Sequence, residues 1–320
     1  MHNATITFPV LGDWFSISTP RYVDIFGFHI YYYALFIALG VLLGAVYMLR
    51  NGKDYGLTSD NILDGILLGI PLGVIFSRLW HVVFHFGYYR DNPITIITGM
   101  RDGGLAIYGV IVGAALAAWI CSRWRRVPFL SYVDGVSISL LIGQVVGRWG
   151  NFMNRELYGT PTDLPWRMGL TVGETTTYVH PIFLYESLWN ALGIVLLHLY
   201  SKKVGRKYPG QIFVFYLGWY GFGRAWIETL RAPHWTTYIF DTGISANMVL
   251  AMAAFLVAVA VNHIMTKRTR QPEPTPEAAD EVPEKESQET LQEEPKEESQ
   301  ENLQEELPEE SKEESTGEEE

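Results

Sequence analysis

Cysteine is almost missing from this sequence. Cys121 stands alone among 320 residues, which excludes an internal disulfide framework and a cysteine-based zinc site. Other absences narrow the chemistry further. No H-E-x-x-H or similar close ligand set occurs, so no metal is expected. No G-x-S-x-G elbow is present for a Ser-His-Asp hydrolase. The run GGLAIYG, from Gly103, lacks the lysine of a phosphate-binding loop and no strand is expected before it, which argues against a bound nucleotide. The opening MHNATITFPVLGDWFSI has no basic stretch leading into an apolar core, so a cleaved leader is not expected.

Aromatic residues are absent from 271–320, where 21 Asp or Glu face three Lys. That segment carries 3 − 21 = −18, while the whole chain is −11, so residues 1–270 carry about +7. The low isoelectric point therefore belongs to the tail. With so little to bury against the entropy of ordering, the tail is expected to be disordered. It repeats weakly, with SQETLQEE from Ser287 and SQENLQEE from Ser299.

What is abundant is apolar sequence in long runs. The mean hydropathy of +0.08 averages over the acidic tail and conceals them. A helix needs about 20 mainly apolar residues to cross a bilayer. Seven candidates run near 28–49, 62–84, 104–121, 131–149, 181–200, 210–229 and 244–265. Glycines such as Gly40, Gly44, Gly109, Gly113 and Gly143 lie within them, as close helix packing in membranes favours. A soluble helical bundle would not need this much apolar length. The expected fold is an all-α integral membrane protein of seven helices. Residues 1–270 are expected to form the seven-helix membrane domain and 271–320 the disordered acidic tail.

Lysine and arginine in the loops give an orientation. One set holds Arg50, Lys53, Arg123, Arg125, Arg126, Lys202, Lys203, Arg206, Lys207, Lys267, Arg268 and Arg270. The opposite set holds only Arg21, Arg90, Arg101, Arg155, Arg167 and Arg231. The first set is expected in the cytoplasm. The N-terminus and a loop region over 150–180 are then outside, and the tail is inside. Cys121 falls at the cytoplasmic end of its span, as a small core or boundary residue.

Ionisable side chains inside such spans are rare and are usually functional. Arg148 closes the fourth span. Tyr220, Arg224, Glu228 and Arg231 share one face of the sixth by steps of four, four and three. Arg78, His81 and His85 share a face of the second. Asp134 enters the fourth span from the cytoplasmic side. HPIFLYE, from His180, opens the fifth with Glu186. Such charges could pair simply to hold helices together: Arg224 with Glu228, Arg148 with Glu156 or Glu186. Several fixed cations at one end of a bundle also suit an anion, and the abundant anion in a membrane is a lipid phosphate. The amides of Asn151 and Asn154 add donors, and Gly147 and Gly150 allow close approach of the backbone.

The stretch GRWGNFMNRELYG, residues 147–159, resembles the signature G-R-x-G-N-F-x-N-x-E-x-x-G of the prolipoprotein diacylglyceryl transferases. YYYALFIALG from Tyr31, SRLWHVVF from Ser77, DGGLAIYG from Asp102, HPIFLYE and YGFGRAWIETLR from Tyr220 follow in the same order. The resemblance covers about 25–265 and excludes the tail.

It implies transfer of a diacylglyceryl group from phosphatidylglycerol to the lipobox cysteine thiol of a preprolipoprotein signal peptide. A thioether forms at the outer face of a bacterial plasma membrane, and glycerol phosphate leaves. The implied partners are those two substrates and the lipid bilayer, with no cofactor and no nucleic acid. The implied catalytic residues are Arg148, Arg224, Tyr108 and Glu156. The implied lipid-binding residues are Arg148, Asn151, Asn154, Gly159, Tyr33, Tyr220 and Arg224. Arg78, Asp134, His180, Glu186, Glu228 and Arg231 support them.

One departure concerns the base: Tyr108 stands where some relatives carry His. A tyrosine of ordinary pKa near 10 is a poor acceptor for a thiol proton. His180, Glu156 and water remain open as alternatives. Two other function classes were weighed. A transporter for an anionic solute would use intramembrane arginines, but no inverted repeat is visible. A metal-dependent lipid phosphotransferase would need a dense aspartate motif, and Asp134 is isolated.

Overall fold

A computed structural model describes residues 4–12, 14–99, 104, 106–240 and 242–269. Residues 270–320, with the acidic tail, lie outside them, as do Arg101, Asp102 and Gly103. The strands are β1 (Thr5–Thr7), β2 (Ser16–Ile17), β3 (Tyr22–Ile25), β4 (Phe28–Tyr31), β5 (Met168–Val172) and β6 (Thr175–Val179). The helices are α1 (Tyr32–Asn51), α2 (Ser59–Phe84), α3 (Phe86–Asp91), α4 (Thr95–Thr98), α5 (Ile107–Arg125), α6 (Phe129–Asn154), α7 (Ile182–Lys203), α8 (Gln211–Glu228) and α9 (Ala246–Arg268).

Six of these, α1, α2, α5, α6, α7 and α9, are long and apolar enough to cross a membrane. The protein is therefore a multi-pass membrane protein. The seventh expected span, 210–229, falls on α8, an 18-residue helix that is not among those six and carries Arg224 and Glu228 near its end. The pairs α1 with α6, α2 with α5, α6 with α7, α7 with α8 and α8 with α9 pack side by side. The contact of α2 with α5 depends on glycine: a Cβ at Gly109 would collide with the Phe76 carbonyl and the Ser77 Cα. Two helix starts are capped by short polar side chains. Thr58 Oγ1 accepts from Asn61 N at 3.2 Å ahead of α2, and Ser245 Oγ accepts from Met248 N at 3.3 Å ahead of α9, each satisfying one orphan amide.

The expectation of an all-α chain holds for the bundle and fails at one end of it. The expected 150–180 loop contains the β5–β6 hairpin, paired Met168↔Val179 to Val172↔Thr175. Strand β1 adds to it through Ile6↔Leu170, and β2 adds to β1, giving the order β2-β1-β5-β6. The alternation MGLTV…TTTYV is short, and long apolar helices dominate its surroundings, so the period of two is hard to see. Arg155 secures this sheet. It ends α6 with φ 54° and sends Nε to the Ala4 carbonyl at 3.0 Å and Nη2 to the Thr19 carbonyl at 2.8 Å. Ala4, Ile6, Phe152, Leu170 and Phe183 form the core beneath it.

At the opposite end, Asp134 is fully buried in α6. Its carboxylate accepts from Gly210 N at 2.8 Å, Phe213 N at 3.1 Å and Arg206 Nη1 at 3.0 Å. It therefore fixes the start of α8, where free amides and the helix dipole favour a negative charge. Asp134→Ala is expected to lower stability by about 3 kcal/mol, because it strips a buried acceptor and leaves Arg206 unpaired. A thermal melt of the detergent-purified protein checks this, and an unchanged midpoint would contradict it.

Candidate functional site

Four segments meet where α6 and α8 end and α7 and α9 begin. Arg148 and Asn151 lie in the last two turns of α6. Glu186 sits in the second turn of α7. Arg224 and Glu228 close α8, and Arg231 follows three residues later. Ser245 and Asn247 come from the start of α9. Glu186 is 4% exposed and accepts from three guanidinium groups. Arg224 Nη1 reaches its Oε1 at 2.7 Å, Arg231 Nη2 reaches the same oxygen at 2.8 Å, and Arg148 Nε contacts Oε2. Glu228, also buried, faces Arg224 Nη2 at 2.9 Å and Arg231 Nε at 3.1 Å through its Oε2. Its other oxygen accepts from Ser245 Oγ at 3.0 Å and Asn247 Nδ2 at 3.2 Å.

The arrangement follows from the cost of dry charge. An isolated ion in a low-dielectric interior is heavily penalised, so buried charges come paired. Here three arginines share two carboxylates, leaving one positive charge in excess within the cluster. Arg231 is almost sealed, whereas the side chains of Arg148 and Arg224 keep 18% and 14% of their exposure. These two can meet a ligand. Beside them a narrow crevice of about 10 Å³ lies between α7 and α8, lined by Glu186, Trp189, Asn190, Tyr220, Gly223 and Arg224.

A second chain of bonds runs from Arg148 toward the sheet. Arg148 Nη1 donates to Asn151 Oδ1 at 3.1 Å, and Asn151 Nδ2 donates to Glu156 Oε1 at 2.7 Å. Asn154 Nδ2 reaches the same Glu156 oxygen at 3.2 Å. The two amides orient that carboxylate and leave its Oε2 without a hydrogen bond among the described residues. Tyr33 of α1 packs against Gly150, where a Cβ would come within 2.8 Å of the tyrosine ring. Gly159 is bridged to Arg231, and its N–H donates to the His180 carbonyl at 3.0 Å. His180 Nδ1 lies 3.2 Å from the Tyr185 hydroxyl, and burial lowers the His180 pKa below its usual value.

Most residues expected at the site are thus brought together: Arg148, Asn151, Asn154, Glu156, Glu186, Arg224, Glu228 and Arg231, with Tyr33, Gly159, His180 and Tyr220 around them. Three are elsewhere. Arg78 donates to the carbonyls of Thr95, Ile96 and Gly104 at 2.7, 2.8 and 3.1 Å and lies over the Tyr89 ring, so it ties the α3–α4 segment to α2. Asp134 anchors the far end of α8. Tyr108 opens α5, half-exposed, with its ring against Trp80. The pairing of Arg148 falls to Glu186, and Glu156 is reached only through Asn151.

Sequence reasoning missed Ser245 and Asn247. The Ser245 hydroxyl both caps α9 and donates to Glu228. A serine before an apolar run signals only the cap.

Comparison with known proteins adds an independent finding. The family model described as prolipoprotein diacylglyceryl transferase matches residues 20–264. A phosphatidylglycerol–prolipoprotein diacylglyceryl transferase of Halalkalibacterium halodurans is 41% identical over 212 residues, which is 64% of this chain and 72% of that protein. One of the same name from Enterococcus faecalis is 37% identical over 245 residues, 74% of this chain and 87% of that protein. Another from Bacillus cereus strain G9842 is 39% identical over 212 residues, 64% and 77% of the two chains.

The tight meeting at residue 159 gives a direct test. A Cβ there would lie 2.5 Å from the His180 Cβ and 2.6 Å from the Leu230 carbonyl oxygen. Both neighbours are backbone or backbone-fixed. Gly159→Ala is expected to cost about 1–3 kcal/mol through overpacking and to loosen Arg231. The readout is the melting temperature, and a variant as stable as the parent would contradict the packing described.

Proposed function

We infer, from the premise that this chain belongs to the prolipoprotein diacylglyceryl transferase family, that it moves the diacylglyceryl group of phosphatidylglycerol onto the lipobox cysteine of a preprolipoprotein. The chain is a transferase of lipoprotein lipidation, so the transporter alternative is not carried forward. The single observation that carries the site assignment is the convergence of Arg148 and Arg224 on Glu186.

In this reading the phosphate of phosphatidylglycerol takes the place of Glu186 against Arg148 and Arg224. A phosphate offers more acceptor oxygens to the planar guanidinium forks than a carboxylate does. The thiol sulfur attacks the glycerol carbon that bears the phosphate ester. The carbon–oxygen bond breaks, glycerol 1-phosphate leaves with the bonding pair, and a thioether remains. Charge grows on the departing phosphate, and preorganised arginines in a water-poor site stabilise that growth. The excess positive charge of the cluster supports this role. Glu228, held by Ser245 and Asn247, keeps Arg224 aimed, and Arg231 neutralises Glu186 when Arg148 and Arg224 turn away. Tyr33, Asn151, Asn154, Gly159 and Tyr220 shape the pocket. Arg78 and Asp134 support it at a distance by fixing the α3–α4 segment and the start of α8.

Glu156 accepts the thiol proton in this account. Its free Oε2 and its two orienting amides support that assignment, whereas Tyr108 packs against Trp80. For topology, α8 is the seventh crossing. Its 18 residues extend about 27 Å at 1.5 Å per residue, and its charges are paired inside the bundle. The Lys and Arg count supports a reading in which the N-terminus, the sheet and the Glu186 cluster lie at the outer face of a plasma membrane and the C-terminus in the cytoplasm.

Two experiments follow, both with purified protein, phosphatidylglycerol and a lipobox peptide, measuring released glycerol phosphate. Arg148→Ala and Arg224→Ala are each expected to lower the rate by about 10²–10³-fold, the loss of one charge-stabilising donor, while the protein still inserts. Normal transfer by either would sink the phosphate clamp. Glu156→Gln is expected to lower kcat with little change in KM for the lipid, and Tyr108→Phe to stay near the parent rate. The pH profile separates Glu156 from His180. A His180 base is neutral above its lowered pKa and would lose rate once the pH falls through that value, below about 6.5. A rate that holds through that window is the expected result, and a decline there would point to His180 and contradict the assignment.

A further inference from the structure

Away from the Glu186 cluster, α7, α8 and α9 enclose a groove of about 710 Å³. Leu196 and Tyr200 of α7 form one wall, Val259 and His263 of α9 form the other, and Gly218 and Trp219 of α8 form the floor. It begins about 15 Å along α7 from Glu186 at 1.5 Å per residue and runs toward the ends of α7 and α9. A gap this large between packed helices forfeits dispersion contacts along its whole lining. Water is a poor filler, because the lining is apolar until Asn262, His263 and Thr266, and the Asn262 oxygen is engaged by Tyr208 at 3.1 Å and Gln211 at 3.3 Å.

The charge at the mouth identifies the occupant. Lys202 and Lys203 end α7, and Lys267 and Arg268 end α9. Lys202 is taken by Asp54 at 2.7 Å. Lys203, Lys267 and Arg268 are exposed and form no ion pair among the described residues. We propose that the groove is a binding site for an acyl chain of an anionic phospholipid, whose headgroup phosphate rests among Lys203, Lys267 and Arg268. This lipid belongs to the leaflet opposite the Glu186 cluster, so it is distinct from the lipid consumed in the reaction. The site stands whether or not the catalytic reading holds.

The test uses the full chain in nanodiscs containing phosphatidylglycerol or phosphatidylcholine, each with a photoactivatable diazirine in its acyl chain. Adducts are mapped by peptide mass spectrometry, so labelling near Glu186 is read separately. The expected result is adducts within 196–200, 214–219 and 258–266, favouring the anionic lipid by at least about fivefold, the effect of one of the three basic residues near the surface. Val259→Trp and Leu196→Trp, which fill the groove from opposite walls, each reduce these adducts to the level on the outward face of α1. Lys203→Gln, Lys267→Gln and Arg268→Gln combined keep the adducts and abolish the headgroup preference. The proposal is overturned if groove and α1 face label equally in the parent, if neither filled variant loses adducts, or if groove residues crosslink to a second copy of the chain.

Discussion

A single carboxylate shared by three guanidinium groups holds the functional end of this protein together. Glu186 brings α7 into contact with Arg148 of α6 and Arg224 of α8, and with Arg231 beyond α8. Removing water makes each of these attractions stronger than at a surface and makes any unpaired member costly. The helices can settle only where the charges meet. In the proposed reading the same constraint serves function, because Arg148 and Arg224 are held close together and partly open. A ligand that replaces Glu186 must be anionic and must offer at least as many acceptor oxygens.

The two ends of the bundle use opposite solutions to the same cost. At the Asp134 end one buried carboxylate is satisfied by two backbone amides and Arg206, a closed arrangement with nothing left over. At the Glu186 end three cations meet two carboxylates, and the excess charge borders a crevice. The first fixes α8 in place. The second leaves binding capacity. The sheet above it, tied down by Arg155, positions Gly159 and His180 against Arg231 and so braces the cluster from outside the bundle.

How much of this was legible in the residues depends on the length over which each signal extends. The long apolar runs announced the helices, because a span must be apolar over its whole length. The steps Tyr220, Arg224, Glu228 and Arg231 announced a shared face. The signature GRWGNFMNRELYG announced Arg148 with its amides. The sheet stayed hidden, since β1 and β2 have three and two residues and β1 pairs with a hairpin more than 150 positions away. Arg78 and Asp134 show the limit of the rule that intramembrane charge marks function: Arg78 donates to backbone carbonyls and Asp134 accepts from two backbone amides and Arg206. The choice of Glu186 over Glu156 as partner for Arg148 depends on how α6 faces α7, which no local pattern records. Glu228's partners Ser245 and Asn247 were invisible for the same reason.

The central claim is that a lipid phosphate displaces Glu186 from Arg148 and Arg224. The most direct measurement is a structure of the protein with a phosphonate analogue of phosphatidylglycerol, in which carbon replaces the ester oxygen that would leave. The account predicts phosphonate oxygens at about 2.7–2.9 Å from both guanidinium groups, with Glu186 retained by Arg231 alone. An analogue bound elsewhere, with Arg148 and Arg224 still on Glu186, would contradict it.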